Sequence, residues 1–202
     1  HFHSGPAPHN EYFGPAFLNE DRSAELPGAM GAYVSEVMFW LYRPLTFMLW
    51  GGVFERFPRL KAMVVEGGTM FMVPSWLMLL DHNYTDIQFS AKLGDFRSHL
   101  SMAPSEYFAR NCGIGASCVP RRDLDMRDQI GLKQIMWGSD FPHPEGTWPN
   151  TAQYYQDTFK GFDVDDGRQI LGGNAIEFYG LDRQYLDGLA AEIGPSSSIF
   201  NG

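Results

Sequence analysis

The chain has 202 residues, 44% of them hydrophobic and 15% aromatic, enough apolar material for one domain or a large piece of one and far from the composition of a disordered chain. Its formal charge of −9 comes from 15 Lys and Arg against 24 Asp and Glu, with no basic cluster, which argues against a nucleic-acid partner because phosphate recognition needs concentrated positive charge. The longest apolar stretch, Met70 to Leu80, is broken by Pro74 and Ser75 and falls short of the roughly 20 residues of a membrane span, so no membrane association is expected.

The N-terminus, HFHSGPAPHN, has neither the basic nor the apolar region of a secretory leader, and the expectation is a soluble, cytoplasmic protein. It also lacks an initiator Met, which predicts that the protein begins upstream. Cys112 and Cys118 have no CxxC partner and no matching His cluster, so they read as reduced core thiols rather than a zinc finger.

In chain order, His1 to Ser4 read as the end of a strand. Residues 6 to 31, rich in Pro, Gly and Asn, read as a long loop over a site. Val34, Val37, Met38, Leu41, Leu45, Met48 and Leu49 then recur at spacings of three and four, which predicts one buried helix or two, with Pro44 as the break. The aromatic residues Phe39, Trp40, Tyr42, Phe47 and Trp50 read as packing, and Arg43 and Arg56 as surface ion-pairing groups. Lys61 to Val65 is a short apolar run closed by Glu66-Gly67-Gly68, the pattern of a strand buried on both faces. A helix should follow from Phe71 to Asn83, another at Pro104-Ser105-Glu106, a strand over Cys112 to Val119 and a helix over Asp123 to Ile130. The next strand is Gln134 to Trp137, ending at Gly138-Ser139-Asp140. Helices over Thr151 to Phe162 and Asp166 to Tyr179 close the chain, with a fraying Ser-rich tail at Ser196 to Ser198. Strands alternating with helices predict βα units and a parallel sheet, with chemistry at the C-terminal strand ends. His9, His82 and His99 have no partner spacing and read as structural.

The segment Ile135-Met136-Trp137-Gly138-Ser139-Asp140-Phe141-Pro142-His143-Pro144-Glu145 resembles the strand-eight signature of the amidohydrolase-related family, which includes aminocarboxymuconate-semialdehyde and resorcylate-type decarboxylases. Phe57-Pro58-Arg59-Leu60-Lys61 is similar to that family's entry into strand six, and Ile170-Leu171-Gly172-Gly173-Asn174-Ala175 to its closing helix. The resemblance implies an α/β fold, the C-terminal half (about strands 5 to 8) of a TIM-like (β/α)8 barrel. Residues 1–202 would then be the C-terminal part of one barrel domain whose N-terminal half is missing. It also implies one divalent metal, zinc first and manganese second, held by an HxH pair on strand one, a His on strand five and an Asp on strand eight. On the motif, Asp140 matches the strand-eight Asp and His3 the strand-five His. His1-Phe2-His3 is not the HxH pair, because only three further strand ends follow it, too few for a barrel of ~250 residues.

Each assignment has a plainer competitor. Asp140 after Gly-Ser could be an ordinary turn or helix-capping residue, and His3 a solvated terminal His. Glu66 suits a general acid or base near the metal, or a carboxylate that orients a ligand. The resembling decarboxylases usually carry His at its position, which leaves decarboxylation open. His143 would hydrogen-bond substrate or brace its loop. The expectation is a metal-dependent hydrolase or carboxy-lyase with Asp140, Glu66 and His143 as catalytic residues and His3 and Asp140 as metal ligands. It would act on a small carboxylated substrate, with no nucleic-acid or membrane partner and with a homo-oligomer allowed. The alternative is a non-catalytic binding protein that kept the barrel without a complete metal site.

Overall fold

A computed structural model describes residues 1–3, 5, 28–67, 70–86 and 91–201. Most of the loop expected over residues 6 to 31, and His9 with it, lies outside the described residues.

Four short strands, β1 (Phe2–His3), β2 (Ala62–Val65), β3 (Cys112–Ser117) and β4 (Ile135–Gly138), form one sheet in chain order. Every pairing is parallel, with Phe2 opposite Val64, Val65 opposite Gly115 and Ser117 opposite Gly138. Parallel neighbours need long crossovers. Here they carry α1 (Ala29–Trp50) and α2 (Val53–Arg56) before β2, then α3 (Met72–Thr85) and α4 (Pro104–Asn111) before β3. Two single-turn helices, α5 (Arg121–Leu124) and α6 (Arg127–Ile130), precede β4. The chain closes with α7 (Thr151–Phe159), α8 (Val164–Arg168), a π-helical turn (Gln169–Gly173), α9 (Asn174–Tyr179), α10 (Arg183–Ile193) and a 3-10 turn (Ser197–Phe200).

The two faces of the sheet are used differently, as the period of two requires. Ala62, Val64, Cys112, Ile114, Ala116 and Ile135 join the core made with Leu41, Leu45 and Leu49 of α1, Val73 and Leu77 of α3 and Tyr107 and Phe108 of α4. Met63 and Met136 are buried on the other face. They close over Gly113, where an added Cβ would lie 2.9 Å from the Met136 methyl and 3.1 Å from both the Met63 sulfur and Phe178. A parallel sheet of consecutive βα units with both faces filled is the wall of a partial (β/α)8 barrel.

Two buried asparagines set where the strands begin. Asn111 Nδ2 donates to the Pro58 and Leu60 carbonyls (3.0 and 2.7 Å) ahead of β2. Asn174 Nδ2 donates to the Leu132 and Ile135 carbonyls (both 2.7 Å) at the entry to β4. These contacts give a physical reason for the Phe57–Lys61 and Ile170–Ala175 motifs.

Several sequence expectations need correction. Pro44 does not break α1, which runs unbroken for 22 residues. The one hydrogen bond a proline forfeits is outweighed by burial of Leu41, Leu45 and Leu49 on the core side. Val34 is exposed, and the aromatic group splits, with Tyr42 buried while Phe39 and Phe47 are each 64% exposed. The helix expected over Asp123 to Ile130 is two separate turns. The helix expected from Asp166 starts at Val164, capped by the Asp163 carboxylate on the Asp165 and Asp166 amides, and a further helix, α10, follows it. The tail does not fray: the Phe200 carbonyl accepts from Gly161 N (2.9 Å) and its ring sits edge-on to Phe159. Arg43 stacks on Trp40 and Phe47, and Arg56 donates to the Gly51 carbonyl, where ion pairs were expected.

Candidate functional site

Because all four strands are parallel, their C-terminal ends share one rim. His3 ends β1, Glu66 follows β2, Cys118 follows β3, and Asp140 lies two residues beyond β4. The non-glycine residues with left-handed backbone among the described residues are Glu66, Cys118 and Asp140, at φ 57°, 49° and 62°. All three sit in the first turn after consecutive strands. That conformation is uncommon for a residue with a Cβ, and such strain persists only where surrounding structure fixes it, typically at functional sites. Here the ladder is prolonged past the strand ends by Gly67 N donating to Gly115 O (3.0 Å) and Cys118 N to Gly138 O (3.2 Å). Gly67 is required for this approach, since a Cβ there would lie 2.6 Å from Ile114.

The rim carries two groups of ionisable side chains. On one side, His3 Nδ1 is 3.3 Å from Glu66 Oε2, with the imidazole 70% and the carboxylate 27% exposed. On the other, Asp140 is 18% exposed, and His143 Nδ1 lies 3.7 Å from its Oδ2 and 2.6 Å from Glu145 Oε2. Residues 139–147 are tied into a compact loop by His143 N to Asp140 O (2.7 Å), Gly146 N to His143 O (2.9 Å) and Thr147 N to Ser139 O (2.9 Å). Gly146 permits the tie: an added Cβ would meet the Ser139, Asp140 and His143 carbonyls at 2.9, 2.9 and 3.0 Å. His143 thus braces the loop that presents Asp140.

Two residues at or behind this rim were missed by sequence reasoning. Cys118 was read with Cys112 as a core thiol. Cys112 is one, with burial pushing its thiol up to about 12. Cys118 is only half-buried, with Sγ 3.6 Å from the Glu145 carbonyl. Its thiol is pushed up by burial first and then by the charges of Asp140 and Glu145. Its position directly after a parallel strand was the signal that could have found it. Asp123, read from the sequence only as the start of a helix, is wholly buried, and its Oδ2 accepts from Met70 N (2.8 Å), just ahead of α3. Tyr42 Oη is buried without a hydrogen-bond partner, and burial, aided by the Asp123 charge, holds its phenol above the ordinary range.

His3 and Asp140 offer an imidazole nitrogen and a carboxylate oxygen, the donor types that divalent catalytic metals take. Among the described residues no three His, Cys, Asp or Glu side chains gather closely enough to hold an ion. The strands that carry the two donors are separated by three interstrand steps, about 14 Å if the sheet were flat. The donor chemistry fits a metal, and the ligand set is incomplete within these residues.

A half-barrel of parallel βα units with consecutive strand ends on one rim has the architecture of the (β/α)8 barrel class. The amidohydrolase family model matches residues 37–181, and the chain belongs to that family. The 2-amino-3-carboxymuconate-6-semialdehyde decarboxylase of Dictyostelium discoideum is 29% identical over 141 residues, covering 69% of this chain and 36% of that protein. Among solved structures, 5-carboxyvanillate decarboxylase from Sphingomonas paucimobilis superposes with a TM-score of 0.58 at 23% identity, over 90% of this chain and 48% of that one. A dihydroxybenzoic acid decarboxylase from Polaromonas sp. JS666, solved with bound manganese and 2-nitroresorcinol, gives 0.55 at 20% identity, over 89% and 48%. The chain spans about half or less of the length of these relatives, and the two structural likenesses speak for the fold.

Proposed function

We propose that the chain is the C-terminal part of a single amidohydrolase barrel domain, and that the whole protein is a metal-dependent carboxy-lyase acting on a small carboxylated substrate. The observation that carries the reading is Asp140, held in left-handed backbone at the end of β4 by a tied loop and on the same rim as His3. Three relatives whose names are those of decarboxylases support the choice of lyase. His3 and Asp140 would hold the metal together with an HxH pair contributed by the other half of the barrel. When bound, a divalent ion, zinc or manganese, supplies Lewis acidity toward carboxylate and neighbouring oxygens.

The chain's own residues do the rest. Glu66, within 3.3 Å of the His3 imidazole, orients that ligand and is placed to pass a proton at the rim. His143, bridging Glu145 and Asp140 and half exposed, fixes the Asp140 loop and would be open to hydrogen-bond a substrate. Hydrolysis is the second reading, and Glu66 is what favours it, because a carboxylate near the metal is suited to take a proton from attacking water.

The test is metal content and turnover of Asp140→Ala in the whole protein, with Asp187→Ala on the exposed face of α10 as control. The Asp140 variant should lose metal and at least about a hundredfold in turnover, measured as CO2 release from carboxylated phenols, while the control keeps both. Stoichiometric metal and near-normal turnover in Asp140→Ala would remove this site from the 139–147 loop.

A further inference from the structure

The face of the sheet turned away from the core helices changes character along its length. Its lower part is plugged, because Met63 and Met136 are buried there and meet Phe178 over Gly113. Toward the rim the plug ends. His3 and Val65 stand in register with Gly115, and one step higher Ser117 faces Gly138, all on the side of Met63 and Met136 by the alternation of a strand. Gly67 and Gly113 are glycines because a Cβ would collide with its neighbours, but Gly115 and Gly138 are under no such constraint. Neither has left-handed backbone, and the nearest atoms to an added Cβ lie at 3.6 Å for Gly115 and 3.9 Å for Gly138. Glycine inside a strand weakens it, and where the strand itself does not require it, it marks close approach by something else.

Ser117 stands at that gap. It is half-buried, and its hydroxyl has no hydrogen-bond partner among the described residues. The atom nearest to a Cβ built on Gly138 is Ser117 Oγ, so the hydroxyl borders the open space directly. Because β3 runs between β2 and β4, Ser117 is about 5 Å from the strand that ends at Glu66 and from the strand that leads to Asp140. The inward side chains below it, Val65, Met63 and Met136, are apolar. Ser117 is thus the neutral hydrogen-bonding group of this wall, set between the two groups of ionisable side chains on the rim. A serine hydroxyl donates to a phenolate oxygen and accepts from a phenol, so it suits a ring oxygen in either protonation state.

We propose that Ser117 is a specificity residue of the rim site, its hydroxyl bonding the ring oxygen of a carboxylated phenol that lies over Gly115 and Gly138. The inference rests on the carboxy-lyase reading and adds to it the group that reads the substrate's hydroxyl. The test uses the whole metal-loaded protein and whichever hydroxybenzoate, among the mono- and dihydroxy acids, the wild type decarboxylates fastest, with benzoate as the competitor that lacks the hydroxyl. Ser117→Ala should raise KM about tenfold, with kcat within about threefold and metal content unchanged, the signature of a lost binding contact, while the inhibition constant of benzoate stays the same. Gly138→Ala should raise the same KM by filling the gap, yet raise the melting temperature of the metal-free protein by about 1 to 3 °C, opposite to the effect at a glycine that the fold needs. A Ser117→Ala enzyme with unchanged KM, one that loses benzoate affinity equally, or a Gly138→Ala protein that melts lower would overturn the assignment of Ser117 and leave the carboxy-lyase reading standing. A wild type that holds metal and decarboxylates none of the hydroxybenzoates would overturn both.

Discussion

Asn174 is a side chain whose removal should be costly for the few atoms changed. It is 2% exposed and donates two 2.7 Å hydrogen bonds to the Leu132 and Ile135 carbonyls, while its own Oδ1 has no partner. Asn174→Ala deletes both bonds, though the Leu132 carbonyl keeps the Ile135 amide as a donor, a loss of about 2 to 3 kcal/mol at ~1 kcal/mol per net bond plus the desolvation left uncompensated. Asn174→Asp keeps the shape but turns the donor into an oxygen facing two carbonyl oxygens, so at pH 7 it should cost at least as much. Its cost must also depend on pH. A buried carboxyl among carbonyls has its folded pKa raised above the unfolded value of about 3.9. Between those two values the folded state binds more protons, so stability falls as pH rises through the window and recovers as pH drops toward 4. Once protonated, the acid donates one of the two lost bonds. Urea denaturation of wild type, Asn174→Ala and Asn174→Asp at pH 5 and pH 8 measures all of this. A pH-independent difference between Asn174→Asp and wild type, or an Asp variant as stable as wild type at pH 8, would refute the clamp.

Two other predictions follow from local geometry. Gly146→Ala forces a methyl against three backbone carbonyls at 2.9 to 3.0 Å, so the loop must shift at a cost of about 1 to 3 kcal/mol, and metal affinity, read by competition with a chelator, should fall about tenfold. The two thiols should separate under a disulfide reagent at pH 8: Cys118 reacts, slower than a free cysteine because its thiol is held up by burial and by Asp140 and Glu145, and its rate keeps rising toward pH 10. Cys112, buried and pushed up to about 12, should react only on unfolding, and equal native rates for both would contradict the structure.

What was legible in the sequence was what repeats over short distances. Strands β2, β3 and β4 emerge within one or two residues of their expected bounds, because apolar runs closed by turn residues carry their own stop signals. Asp140 was legible because its neighbours form a dense local motif. Asp123 was not, since its partner, Met70 N, is 53 residues away and nothing in Arg121-Arg122-Asp123 marks burial. The outward face of α1 was misread for a related reason. Periodicity reports that a helix has an apolar stripe, but with stripes on both sides it does not say which one meets the core, and Leu41, Leu45 and Leu49 win over Phe39 and Phe47 only through contacts with β2 and α4. Cys118 carried a readable signal in its place after a strand, obscured by the stronger habit of treating an unpaired cysteine as core.

The arrangement of the rim makes sense in terms of barrel closure. His3 and Asp140 lie on the two outer strands of the sheet, β1 and β4, whose outer backbone groups have no strand partner among the described residues. An open edge of this kind is a template for pairing. On the proposed reading, four more strands close the sheet, and one step satisfies two requirements: the edges gain partners, and curvature turns both side chains toward a common axis. A flat sheet would leave the two donors roughly 14 Å apart, too far to share an ion whose ligands each lie about 2 Å away. The strain stored in Glu66, Cys118 and Asp140 fits the same picture. Each positive φ turns the chain just beyond its strand, at the rim where the ladder is prolonged by Gly67 N and Cys118 N.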